Sequence, residues 1–181
     1  MDVSLESLLS IALGIGLAAA AAFRIFVPLL AAGIAARTGF LPLTDGFQWL
    51  GSTPALLMLG TAAVFEVLAY SIPGVDHLLD VVAGPAAVGA GVVASASVMA
   101  DIPQGIMWPL AIIAGGGVAG LTKGTTALLR AKSGVMTAGL ANPVVATVET
   151  ASATGITVLA LVVPLICLAA IVGLLYWATK R

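Results

Sequence analysis

The sequence predicts an all-α, polytopic integral membrane bundle with four to six membrane segments, some of them broken or re-entrant, built as one domain over residues 1–181. Three observations predict it. Hydrophobic residues make up 61% of the 181 and charged residues only 8%, against roughly 25% charged in soluble domains. Mean hydropathy is +1.18. Apolar runs of spanning length recur, separated by Pro, Gly and Asp clusters. A soluble globule of this size must cover a large surface with polar groups, and seven Lys+Arg with eight Asp+Glu cannot do so. The same balance leaves no basic surplus for phosphate backbones, so nucleic acid is excluded as a partner.

The first apolar block, Leu8–Ala36, is interrupted only by Arg24. As one helix it would measure roughly 43 Å at about 1.5 Å per residue, too long for a hydrocarbon core of about 30 Å. The expectation is a break near Phe23-Arg24 and Pro28, giving one full span and a shorter second leg. Asp2 and Glu6 in place of a positive flank argue for a retained span over a signal peptide. Thr38–Ser52 reads as a loop, with Trp49 at the interface. Thr53-Pro54 is a helix start, with Thr as N-cap and Pro in the first turn, and the span Pro54–Ile72 carries Glu66. Pro73-Gly74 ends it.

Asp76, His77 and Asp80 open the small-residue segment Val81–Ala100, notched by Gly84-Pro85. Met107–Leu121 is apolar again, and its continuation carries Lys123, Arg130 and Lys132, read as a half-helix or interfacial stretch. Asn142-Pro143 repeats the cap-then-proline start, with Glu149 about two turns on. Gly155–Trp177 reads as the final span. Its Tyr176-Trp177 belt and Lys180-Arg181 place the C-terminus on the cytoplasmic side of an inner (plasma) membrane. A Gly-rich stretch with a basic residue, then a Thr/Asn-Pro helix with a glutamate, occurs twice, a faint internal echo.

Several motifs fail on inspection. Gly14–Ala19 mimics a dinucleotide fingerprint but follows no strand, and Gly120–Thr125 mimics a phosphate loop with its Lys misplaced. Cys167 is a lone thiol in an apolar run, and His77 has no ligand-spaced partner, so no metal and no cofactor are expected. No nucleophile–base constellation is visible, so no enzyme is expected. Gly116, Gly120 and Gly124 form a doubled GxxxG suited to close helix packing.

The informative residues are ionisable groups at membrane depth, because an unpaired charge there is costly. Arg24, Glu66 and Glu149 are expected to meet each other or water, as a substrate or ion pathway or as a structural Arg–Glu lock. Tyr70, one turn beyond Glu66, is placed to hydrogen-bond its carboxyl. Asp76 and Asp80 share a helix face, as N-terminal caps or cation ligands, and Asn142 joins the same pathway set. Lys123, Arg130 and Lys132 are assigned to lipid headgroups.

Phe23-Arg24-Ile25-Phe26-Val27-Pro28-Leu29-Leu30, Pro54–Leu57, the run from Glu66 through Tyr70, Pro73 and Asp76 to Asp80, Gly115–Gly120, and Gly139–Val145 with Glu149 together resemble the signature of an uncharacterised bacterial membrane family, domain of unknown function 4126. The pieces occur in order over nearly the whole chain. His77 stands where the family is expected to prefer Asn. The resemblance implies a small polytopic helical protein and no particular activity. The leading functional expectation is transport or permeation of a cation or small solute through a midplane site lined by carboxyls. The alternatives are lipid-phosphate binding or flipping and a structural assembly role. Expected partners are membrane lipids, a small solute or ion, and a second copy in a homo-oligomer.

Overall fold

In the computed structural model, residues 4–70, 72, 75–137 and 142–179 are described, with backbone alone for 75–78, 80, 81, 135, 142, 178 and 179. Among the described residues the regular secondary structure is all helical, with no strand. The elements are α1 (Leu5–Phe23), α2 (Phe26–Arg37), a 3-10 helix (Asp45–Gly51), α3 (Thr53–Ala69), α4 (Val75–Ser97), α5 (Gln104–Leu110), a π segment (Ala111–Gly116), α6 (Gly117–Thr137), α7 (Asn142–Val162) and α8 (Pro164–Thr179).

Three of these stretches are long and apolar enough to cross a membrane: Leu5–Phe23, Gln104–Gly134 and Pro143–Val162. The 3-10 helix and α3, bent by 68° at their junction, make a fourth if taken together. Phe26–Arg37, Val82–Ser97 and Pro164–Trp177 are shorter apolar helices.

α1 is the central post. Ala12, Leu17, Ala18, Ala20 and Ala21 are fully buried, because small side chains let neighbouring backbones close in from several sides where lipid supplies no hydrophobic drive. Gly16 meets Ala160 of α7 and Cys167 of α8, while Gly14 meets Ser95 of α4. Gly91 meets both Ala18 and Ala119, so α4 runs opposite to α1 and to α6. The expected glycine zipper is shifted. Gly116 and Gly120 lie against Val88, Gly124 faces open space, and Gly115 makes the closest approach, to Ser95 and Gly91.

The break after α1 falls where the length argument puts it, between Phe23 and Phe26. Other boundaries differ. Ser52, not Thr53, caps α3, its side chain accepting from the Ala55 N–H. Pro85 does not interrupt α4, since a proline removes one ladder bond and neighbouring helices can hold the segment straight. Pro109 is followed by the π segment, where the hydrogen-bond ladder widens, a known response to a blocked i−4 bond.

The final span is corrected. α7 begins at Asn142 and stops at Val162, and α8 starts afresh at Pro164. At 21 residues α7 is already about 31 Å long, and Pro164 cannot continue it. The polar residues of its first half are absorbed locally. Thr147, Thr150, Thr154 and Thr157 each donate to the carbonyl four residues back.

Candidate functional site

The α1–α2 break is the centre of the site. Arg24 is its first residue beyond the helix, in extended conformation, its N–H still bonded to Ala20 O. α2 begins on Ile25 with no side-chain cap of its own. A helix start leaves several N–H groups without intrahelical acceptors, and in an apolar bundle they must find one. Glu66 of α3 supplies it: its Oε1 accepts from Ile25 N at 2.8 Å and its Oε2 from Phe26 N at 3.2 Å. The carboxylate therefore caps a helix remote in sequence, and it also meets the positive end of that helix dipole.

The Arg24 side chain reaches the other way, onto α7. Its Nε donates to Thr150 Oγ1 at 3.0 Å, its Nη2 to Ala146 O at 2.9 Å, and its Nη1 to Phe23 O and Glu149 Oε2, both at 3.4 Å. Arg130 of α6 donates from Nη2 to the same Glu149 Oε2. Glu149 is thus bracketed by two guanidinium groups. Arg24 is 0% exposed, Arg130 3%, Glu149 4%, Tyr70 4% and Lys123 6%. At these burials the carboxylate is an internal counter-ion, and removing it would take a buried charge partner from both Arg24 and Arg130.

Tyr70 closes the group. Its ring has the Arg24 guanidinium at 4.4 Å, that of Arg130 at 5.0 Å and the Lys123 ammonium at 5.7 Å, all within cation–π range. Lys123 and Arg130 are seven residues apart on one face of α6, which is why both point inward.

The structure therefore brings Arg24, Glu66, Glu149, Lys123 and Arg130 together, while Lys132 is exposed. The headgroup expectation for Lys123 and Arg130 does not describe their setting, since both are enclosed by neighbouring helices. Glu66 is bonded instead to the α2 N–H groups, while Tyr70, expected to hydrogen-bond that carboxyl, presents its ring to the three cations. The side chains of Asp76, Asp80 and Asn142 lie outside the described residues, as does that of His77. Arg24 comes about 28 Å along α1 from Leu5, just beyond the last residue of that helix. Glu66 is the fourteenth of the 17 residues of α3 and Glu149 the eighth of the 21 of α7, so the echo does not place them at equivalent positions along their helices.

Sequence reasoning missed the convergence of the α6 cations on Tyr70 and the remote capping by Glu66. The first had a signal in the seven-residue spacing. The second had one in the uncapped start of α2, which had to draw an acceptor from elsewhere.

Two open clefts flank the site, and α3 lines both. One, of about 600 Å³, is lined by Val67 of α3, by Arg24, and by Ala146, Thr147, Thr150 and Thr154 of α7. The other, of about 420 Å³, lies between α3 and α4 and is walled by Phe26, Phe65, Leu79, Val82 and Ala86, with Glu66 and Tyr70. Successive residues of α3, Glu66 and Val67, face different clefts. Among the described residues no three His, Cys, Asp or Glu side chains form a group able to hold a metal ion.

No solved structure and no curated protein shows significant similarity to the chain. A family model does: the one described as Domain of unknown function (DUF4126) matches residues 11–181. With nearly the whole sequence inside that match, and with the apolar helices of a membrane protein, the chain belongs to the DUF4126 family.

Proposed function

We propose that this protein transports a cation or small solute across its membrane, with Glu66 and Glu149 as the responsive groups and α3 as the moving wall. One observation carries the reading: the two carboxyls hold opposite sides of a single helix break, and each hold adjoins a different cleft. Glu66 fixes the start of α2 beside one cleft, while Glu149 fixes Arg24 beside the other. Neutralising or engaging either carboxyl weakens one clamp and leaves the other, which is the requirement for a two-state element biased from two sides. α3 suits the moving part because it packs mainly on α2 and the 3-10 helix and buries few side chains.

The reading assigns no catalysis to the protein, and its partners are membrane lipid, the solute and, as a homo-oligomer, a second copy. Arg24 already directs four hydrogen bonds at protein acceptors, which disfavours it as the receptor of a lipid phosphate. Flux into proteoliposomes tests the proposal. With Glu66→Gln, which keeps one acceptor for α2 but removes the charge, flux falls about tenfold or more, the worth of a charged hydrogen bond. Unchanged flux in both Glu66→Gln and Glu149→Gln removes the carboxyls from the mechanism. Saturable copurification of an anionic lipid that is lost on Arg24→Ala would favour the lipid-phosphate alternative instead.

A further inference from the structure

We infer that the cleft between α3 and α4 is a binding site for lipophilic amines, taken up in protonated form from the bilayer with the ammonium on Glu66. This names a substrate class for the site and rests on the transport reading above.

The chemistry of the cleft is that of a membrane-facing amphiphile site. Its walls are apolar and aromatic, from Phe26, Phe65, Leu79, Val82 and Ala86. Its volume, about 420 Å³, falls in the range of small-molecule sites. Among the described residues, Glu66 is the charged side chain that lines it. A carboxylate offers about four acceptor positions, and the two α2 N–H groups occupy one on each oxygen. The rest of its capacity remains for a donor arriving through the cleft.

The neighbouring cations do not take that place. Arg24 is engaged by Thr150, Ala146, Phe23 and Glu149, and the Lys123 ammonium stands over the Tyr70 ring. An ammonium satisfies a half-buried carboxylate by both charge and N–H donation, which a neutral solute cannot match and an anion opposes. The phenyl rings of Phe26 and Phe65 suit the hydrophobic body of such a ligand and tolerate a cation nearby. Thr147, Thr150 and Thr154, by contrast, line the other cleft with hydroxyls already donating backwards, so the aromatic, acid-floored cleft is the one shaped for an apolar base.

Binding to the purified full-length protein in detergent tests the inference, with propranolol, a naphthyl secondary amine, as the probe. Naphthylmethanol serves as its neutral counterpart and anilinonaphthalene sulfonate as an anionic one. Saturable propranolol binding is expected, weakened about tenfold or more by Glu66→Gln. Ala86→Trp, which narrows the mouth without touching the carboxyl, abolishes it and covers the case in which Glu66→Gln fails to fold. Equal saturable binding of naphthylmethanol, preferential binding of the sulfonate, or propranolol binding indifferent to both substitutions overturns the inference. Carboxyl-dependent flux of another solute without propranolol binding sinks this inference alone. Propranolol binding as expected, with no flux of any solute, upholds the site and sinks the transport reading.

Discussion

Glu149→Ala destabilises the protein by about 3–5 kcal/mol, the penalty for leaving buried charges without their partner. The figure follows from geometry. One carboxylate oxygen serves both Arg24 and Arg130, and neither guanidinium can reach bulk water, since both are enclosed. Its loss leaves like charges facing each other in a medium of low dielectric, where repulsion is stronger than in water. Reversible unfolding in mixed detergent–SDS micelles, followed by helix signal, reads the effect. Glu6→Ala is the control, because Glu6 is an exposed first-turn residue and such changes stay within about 0.5 kcal/mol. A Glu149→Ala loss under about 1 kcal/mol would show that Arg24 and Arg130 are hydrated or paired elsewhere, and that the site is not closed around Glu149.

The first break was legible because it is a length argument: no straight helix over Leu8–Ala36 fits a bilayer. The last span was misread for a reason of the opposite kind. Thr147, Glu149, Thr150 and Thr154 look too polar for a membrane helix when counted as side chains, yet the threonine hydroxyls are bonded to their own helix and Glu149 to two arginines. Hydropathy counts groups, whereas the membrane counts groups left unsatisfied. The same distinction explains Lys123 and Arg130. As charges beside an apolar stretch they suggested a surface, and only the fold shows that Tyr70 and Glu149 await them inside. That Arg24 and Glu149 would meet was readable from cost alone. That Glu66 would turn to backbone N–H groups was not, because the acceptor-poor start of α2 becomes a demand only once α2 and α3 lie side by side.

Gly115→Val is the second large effect, and it reports on the packing that holds the site's helices in register. A Cβ at Gly115 would lie 2.6 Å from Ser95 Cβ and 2.8 Å from Gly91 O, both carried by α4. One is backbone, so the strain cannot be relieved by a rotamer change, and overpacking costs about 1–3 kcal/mol or more. The π segment raises the stake, since Gly115 sits within it and a shift there displaces the whole of α6, including Lys123 and Arg130. The variant is therefore expected to lose stability. Ser95 gives the decisive comparison. Its hydroxyl is fully buried and, among the described residues, has no hydrogen-bond partner, so Ser95→Ala alone is expected to be neutral or stabilising by about 1 kcal/mol. Ser95→Gly removes the nearer of the two clashes, so Gly115→Ala with Ser95→Gly recovers part of the loss seen in Gly115→Ala, and the residue left over measures the collision with Gly91 O. Strict additivity of the two substitutions in the same unfolding assay would mean that these residues do not touch, and with that the antiparallel register of α4 against the π segment would have to be redrawn.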